Sequence, residues 1–168
     1  TLFPYTTLFR SPPLWIAVFV FAGVMLRASG AENAILTGET WDMVVQVSGT
    51  HSTSGTLAIL VFAEKKGFPA DSSKAIRKGF FPIAESASSP TLVVFQGLRP
   101  QKTYAISVYH DQNNNLRLDR NFFGVPQEQV GFSRNPRLGF GPPDFSQASF
   151  VLIENGQTIP IRLNPVPH

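Results

Sequence analysis

The chain predicts an antiparallel β-sandwich of about seven strands with one long ordered loop before the last two, and three observations carry that prediction. Short apolar runs with two-residue alternation recur from Trp41 onward, and turn residues punctuate them at short intervals. No sustained 3.6-residue pattern follows residue 30.

Trp41, Met43, Val45 and Val47 share one side of the first run, with Asp42, Gln46 and Ser48 opposite, which is the pattern of a half-buried strand. Gly49 to Gly55 is a small polar loop, and Leu57 to Phe62 is apolar on both faces, as a central strand is. Pro69-Ala70-Asp71 is placed to cap a short helix through Ala75. Gly79 to Ile83 reads as an edge strand, because Pro82 has no N–H to give a ladder. Thr91 to Phe95 and Thr103 to Tyr109 are the next strands, joined through Gly97-Leu98-Arg99-Pro100. Ser149 to Glu154 and Thr158 to Leu163 flank Asn155-Gly156, a strong hairpin signal because both residues tolerate positive φ.

The first thirty residues stand apart. Thr1 to Ser11 match the in-frame translation of a common sequencing-adaptor oligonucleotide and are read as foreign to the protein. Residues 12–30 read as the remnant of a signal peptide. Leu14 to Leu26 is thirteen residues without a charge, shorter than the roughly 20 a membrane span needs. Ala28 and Gly30 offer cleavage before Ala31; retention as an anchor is the alternative, and the absence of cysteine excludes a lipobox. The expected location is therefore periplasmic or secreted.

Residues 31–168 are expected to form a single domain, and losing Arg10 and Arg27 leaves it 12 basic against 11 acidic residues. That balance gives no basic patch for nucleic acid. Zero cysteines exclude disulfides and thiolate metal sites, so the domain must be held by packing.

The stretch from Tyr104 to Phe150 organises the rest. It stays irregular between Asp111 and Ala148, too long for an idle connection in a compact domain. Its five phenylalanines, Phe122, Phe123, Phe132, Phe140 and Phe145, argue against disorder and are expected to bury against the sheet, pinning the loop. At its root Asp111, Asn113, Asn115 and Asp119 fall at relative positions 1, 3, 5 and 9, with the Arg117 carbonyl at 7. This is the oxygen-ligand spacing of the first part of an EF-hand loop, which makes Ca²⁺ a candidate cofactor. Leu116 stands where the loop glycine is expected, and Phe122 where a bidentate glutamate belongs. The competing reading is a tight turn in which Asx side chains bond nearby backbone amides.

Four further residues are binding candidates: His110, Glu128, Ser133 and Asn135. Glu128 needs a partner inside an aromatic loop, and a structural hydrogen bond is expected for it. Catalysis finds little support. His110 and Asp111 are strand neighbours facing opposite ways, and Ser133 lacks the glycine two positions later that a nucleophile elbow requires.

Several ordered motifs resemble one family. They are Gly97-Leu98-x-Pro100-x-x-x-Tyr104-Ala105, His110-Asp111 with an Asn run to Leu118-Asp119, and Asn121-Phe122-Phe123-Gly124-Val125-Pro126-x-Glu128. Gly131-Phe132-Ser133-x-Asn135 and Phe140-Gly141-Pro142-Pro143-x-Phe145-x-x-Ala148 follow. From about Trp41 to Leu163 the chain resembles the bacterial exported family called domain of unknown function 2141. Members often carry Asn-Gly within the polar run, where this chain has Asn114-Asn115-Leu116. The resemblance implies an exported sandwich of transthyretin- or immunoglobulin-like type with no assigned activity.

Two functional classes follow. One is a non-catalytic exported module that binds a glycan, a peptide or an envelope protein through the long loop; exposed rings beside a groove favour it. The other is a structural or assembly module, which calcium would stabilise; a long unpaired apolar edge strand favours it. A hydrolase of envelope polymers is a weaker third class, and would need two carboxylates facing each other across a cleft.

Overall fold

A computed structural model describes residues 38–83, 89–139 and 141–165. The adaptor-like segment, the leader and Phe140 lie outside the described residues. In chain order the elements are β1 (Trp41–Ser48), β2 (Thr56–Phe62), β3 (Arg77–Pro82), β4 (Thr91–Leu98) and β5 (Thr103–Asp111). There follow β6 (Val130–Phe132), a one-turn helix α1 (Phe145–Ala148), β7 (Phe150–Val151) and β8 (Gln157–Arg162).

Two sheets result. The smaller runs β4-β1-β8, and the larger runs β3-β2-β5-β6 with β7 added to β5. Alternation along each strand sends one set of side chains between them: Met43, Val45 and Val47 from β1, Leu57, Ile59 and Val61 from β2, and Tyr104, Ile106 and Val108 from β5. Val93, Phe95, Ile159 and Ile161 complete this core, and all of these residues are buried.

The Gly-Leu-x-Pro-x-x-x-Tyr motif has a mechanical explanation. Tyr104 is buried, and its hydroxyl accepts the Arg99 N–H at 2.9 Å and donates to the Arg99 carbonyl at 3.1 Å. Gly97 takes φ +71° where β4 ends. One phenol thereby holds the β4–β5 turn closed from inside the core, as in a tyrosine corner.

The β-sandwich stands as the sequence predicted, with three local departures. No helix forms after Asp71; residues 66–75 fold as successive turns, with the Asp71 carboxylate accepting from Ser73. Asn155-Gly156 does not close a hairpin. β7 joins the larger sheet and β8 the smaller, so this turn crosses between sheets. The Leu152 N–H and carbonyl are bonded to Lys102 and Gln101, which draws the segment toward the start of β5. Asn155 and Gly156 spend their polar groups on Asp42 of β1 instead. Because the chain crosses there, β8 runs parallel to β1, the one departure from antiparallel pairing among the described strands.

The long loop packs on the outer face of the larger sheet. Ala105, Phe132 and Ala148 form a second buried cluster there, joined by Phe68, Val130 and Phe145. Phe68 lies edge-on to Phe62, Phe145 and Phe132, at centroid separations of 5.4, 5.7 and 6.2 Å. Phe132 and Phe145 thus pin the loop as expected. Phe122 and Phe123 do not: they are 98% and 85% exposed, at the tip of a tight turn between Asn121 and Val125.

Candidate functional site

β5 ends in Asp111, where the chain enters the polar run. The Asp111 carboxylate is fully buried, and its two oxygens accept the N–H groups of Asn115 (3.1 Å) and Leu116 (2.8 Å). Asn113 Oδ1 accepts the Asn115 N–H and Asn115 Oδ1 the Arg117 N–H, so successive Asx turns wind the backbone. Both amides then donate to Asp119, from Asn113 Nδ2 at 2.7 Å and Asn115 Nδ2 at 2.9 Å. These bonds hold the Asp119 carboxyl below its usual range, with Arg117 adding to the effect. Leu116 has φ +66°, so this backbone takes the left-handed turn for which a glycine was expected.

Glu128 closes the turn from behind. Its two oxygens accept the N–H groups of Gln112 and Asp119, each at 3.2 Å. Burial is the main reason its carboxyl is shifted upward; the Asp111 and Asp119 charges push the same way and the two N–H bonds oppose them. The structural hydrogen bond expected for Glu128 is therefore a pair of them.

All side-chain oxygens of Asp111, Asn113, Asn115 and Asp119 accept N–H groups, so these N–H donors are satisfied within the turn. Among the described residues, no three or more carboxylate, imidazole or thiol groups are placed to hold a metal ion. We expect the thermal midpoint to be the same in chelator and in millimolar calcium. A site of about 1 mM affinity would add only about 1.4 kcal/mol at 10 mM calcium. A rise of that size with calcium, and not with magnesium, would show that the polar run holds the cation.

The other three binding candidates also face inward or along the sheet. His110 is buried, with Nε2 2.7 Å from the Ser54 carbonyl and Nδ1 3.4 Å from Gln129 Oε1. Ser133 is buried; its hydroxyl accepts the Ile106 N–H and donates to the Ala148 carbonyl, tying β5 to α1. Asn135 behaves as one more rung beside β8, donating to the Pro160 carbonyl and accepting the Arg162 N–H. None of these four lines the groove described next.

The loop and the sheet leave between them a groove of about 700 Å³. Leu60, Ser107, Tyr109, Val130 and Phe132 line it from the sheet, where Leu60, Ser107 and Phe132 form one cross-strand row. Leu116, Phe123, Val125, Leu138 and Pro142 line it from the loop, and Pro69 from the segment between β2 and β3. Its polar groups are few. The Ser107 hydroxyl donates to the Pro69 carbonyl at 2.7 Å. Burial, reinforced by Asp111 and Glu128, pushes the Tyr109 phenol up to about 12, so it stays neutral. Arg117 and Arg120 are exposed and also line the groove. The sequence marked these loop residues as a packed stretch but could not show that the packing leaves a trough.

The family model described as "Uncharacterized protein conserved in bacteria (DUF2141)" matches residues 45–160. The chain belongs to this family. The match runs from within β1 to within β8 and includes the Asp111 turn, the exposed hairpin and all the groove residues named above, so the site is built from the body of the DUF2141 domain. No curated protein and no solved structure matches the chain. Among the described residues of this DUF2141 domain, no helix is long and apolar enough to cross a membrane.

Proposed function

We propose that this DUF2141 domain is a non-catalytic exported binding module whose groove holds an elongated, largely apolar ligand with an anionic end. The observation that carries the reading is the groove itself: about 700 Å³, within the size range of small-molecule sites, lined mainly by apolar side chains and bordered by Arg117 and Arg120. Apolar walls reward burial of a hydrocarbon body, and two guanidinium groups reward a carboxylate or phosphate at its end. A glycan would need convergent hydroxyl partners, and the Ser107 hydroxyl is already given to Pro69.

An anionic naphthalene dye tests this reading. We expect saturable fluorescence from the folded protein, displacement by a medium-chain fatty acid, and loss of the signal in Gly139→Trp. Gly139 lines the groove and a Cβ there meets nothing within 4 Å, so a side chain can be added at this wall without an immediate backbone clash. Signal that survives Gly139→Trp, or that a fatty acid cannot displace, would overturn the reading.

Docking of another protein is the second reading, and one observation favours it. β4 pairs only with β1 among the described strands and exposes Leu92 and Val94. Arg77 shortens that free edge by donating to the carbonyls of Gln96 and Gly97. The groove offers more enclosed apolar surface, and the ligand-binding reading is preferred for that reason.

A further inference from the structure

Phe122 and Phe123 play no part in the core, yet they are held in place. Asn121 and Val125 bond across the hairpin, the Gly124 N–H bonds the Asn121 carbonyl, and Asn121 Oδ1 accepts the N–H groups of both Phe123 and Val125. Arg120 pairs with Pro126 as a bridge and reaches the Gly124 carbonyl with its guanidinium at 2.9 Å. Gly124, at φ +79°, completes the turn. The two rings meet edge-to-face at 5.6 Å and are almost wholly in water. A fixed turn that presents two adjacent phenylalanines outward is costly in water unless something receives them.

We propose that this tip inserts into the interface of an anionic lipid bilayer, with Arg117 and Arg120 at its base meeting the headgroups. Two rings bury about 300–500 Å², well short of the roughly 800 Å² per partner of a stable protein interface. A bilayer needs no complementary shape and accepts a convex tip, and aromatic side chains settle at the depth of its headgroups. The charge agrees, since the cations next to the rings attract anionic lipid. Arg117, Arg120 and Phe123 also line the groove, but insertion does not require the groove to be filled and Phe122 lies outside its lining.

The test uses the full chain carrying Phe122→Trp as a local reporter, with the parent chain supplying the background of Trp15 and Trp41. On vesicles containing phosphatidylglycerol, the added indole should shift to the blue and be quenched by brominated acyl chains. Pure phosphatidylcholine and high salt should weaken both signals. In the same chain, Phe122→Ser with Phe123→Ser should lower vesicle affinity on the order of 100-fold with an unchanged melting temperature. Arg117→Gln should reduce the preference for anionic lipid. An indole that is neither shifted nor quenched would overturn insertion, whether or not the leader holds the chain on the vesicle. Equal binding by the double serine variant would overturn it too. Quenching that ignores lipid charge, salt and Arg117→Gln would overturn the anionic commitment. Insertion is read from the indole at residue 122, which does not line the groove, and dye binding from Gly139→Trp, so either proposal can fail alone.

Discussion

Gly55→Ala is expected to cost on the order of 3–5 kcal/mol, or to prevent recovery of folded protein. A Cβ at Gly55 would lie 2.2 Å from the Asp111 carbonyl oxygen and 2.7 Å from the Gln112 Cα. Both are backbone atoms, and Thr56 pairs with Asp111 in the β2–β5 ladder, so relief would have to shift that register. The residue also sits at φ +85°, which adds its own penalty for a side chain. Gly156→Ala separates the two effects. It has φ +79° but nothing within 4 Å of the new methyl, so it should lose only about 1–2 kcal/mol. Urea midpoints of the two variants decide the matter: equal losses would mean that the close approach to Asp111 does not govern stability.

Asp111→Ala is expected to lose about 2–4 kcal/mol, because it leaves the Leu116 N–H without its acceptor and the Asn115 N–H with Asn113 Oδ1 alone, at a buried position. Asp111→Asn should lose less, about 1–2 kcal/mol. Its remaining oxygen still serves one N–H, while its amide nitrogen faces the other as donor against donor. Hydrogen exchange supplies the local readout, since the Asn115 and Leu116 amides should lose protection before the sheet does. If both variants melt like the parent and exchange at Leu116 is unchanged, the carboxylate does not organise the turn. These two substitutions probe one junction from opposite sides. The Asp111 carbonyl is pressed against Gly55, and its side chain sets the path of everything downstream.

Much of this fold was legible because the core strands follow simple rules. Met43, Val45 and Val47 alternate cleanly, Leu57 to Phe62 is apolar on both faces, and Pro82 marks β3 as an edge. The Asx turn was legible too, since aspartate and asparagine at alternate positions bond their own backbone. Asn155-Gly156 misled because a turn signal fixes local bending and not which sheet the following strand joins. That choice belongs to Leu152, bonded to Gln101 and Lys102, and to Asp42, bonded to Asn155 and Gly156, all of them contacts between residues far apart in sequence. Phe122 and Phe123 read as core for a related reason. Composition favours burial, whereas the hydrogen bonds of Asn121 hold these rings outward. The groove was invisible for the same reason: it is the space between segments, and Leu60, Val130 and Leu138 look like ordinary packing residues until their separation is known.

The parallel alignment of β8 with β1 has a mechanical consequence. The chain enters the smaller sheet at Trp41 and leaves it past Arg162 at the opposite end of a shared ladder, whose register runs from Met43 beside Gln157 to Ser48 beside Arg162. Tension between a tether before Trp41 and a load after Arg162 would slide the two strands along each other, stressing every rung together instead of peeling them one by one. Such loading would have to break the rungs of this ladder together before the sandwich opens.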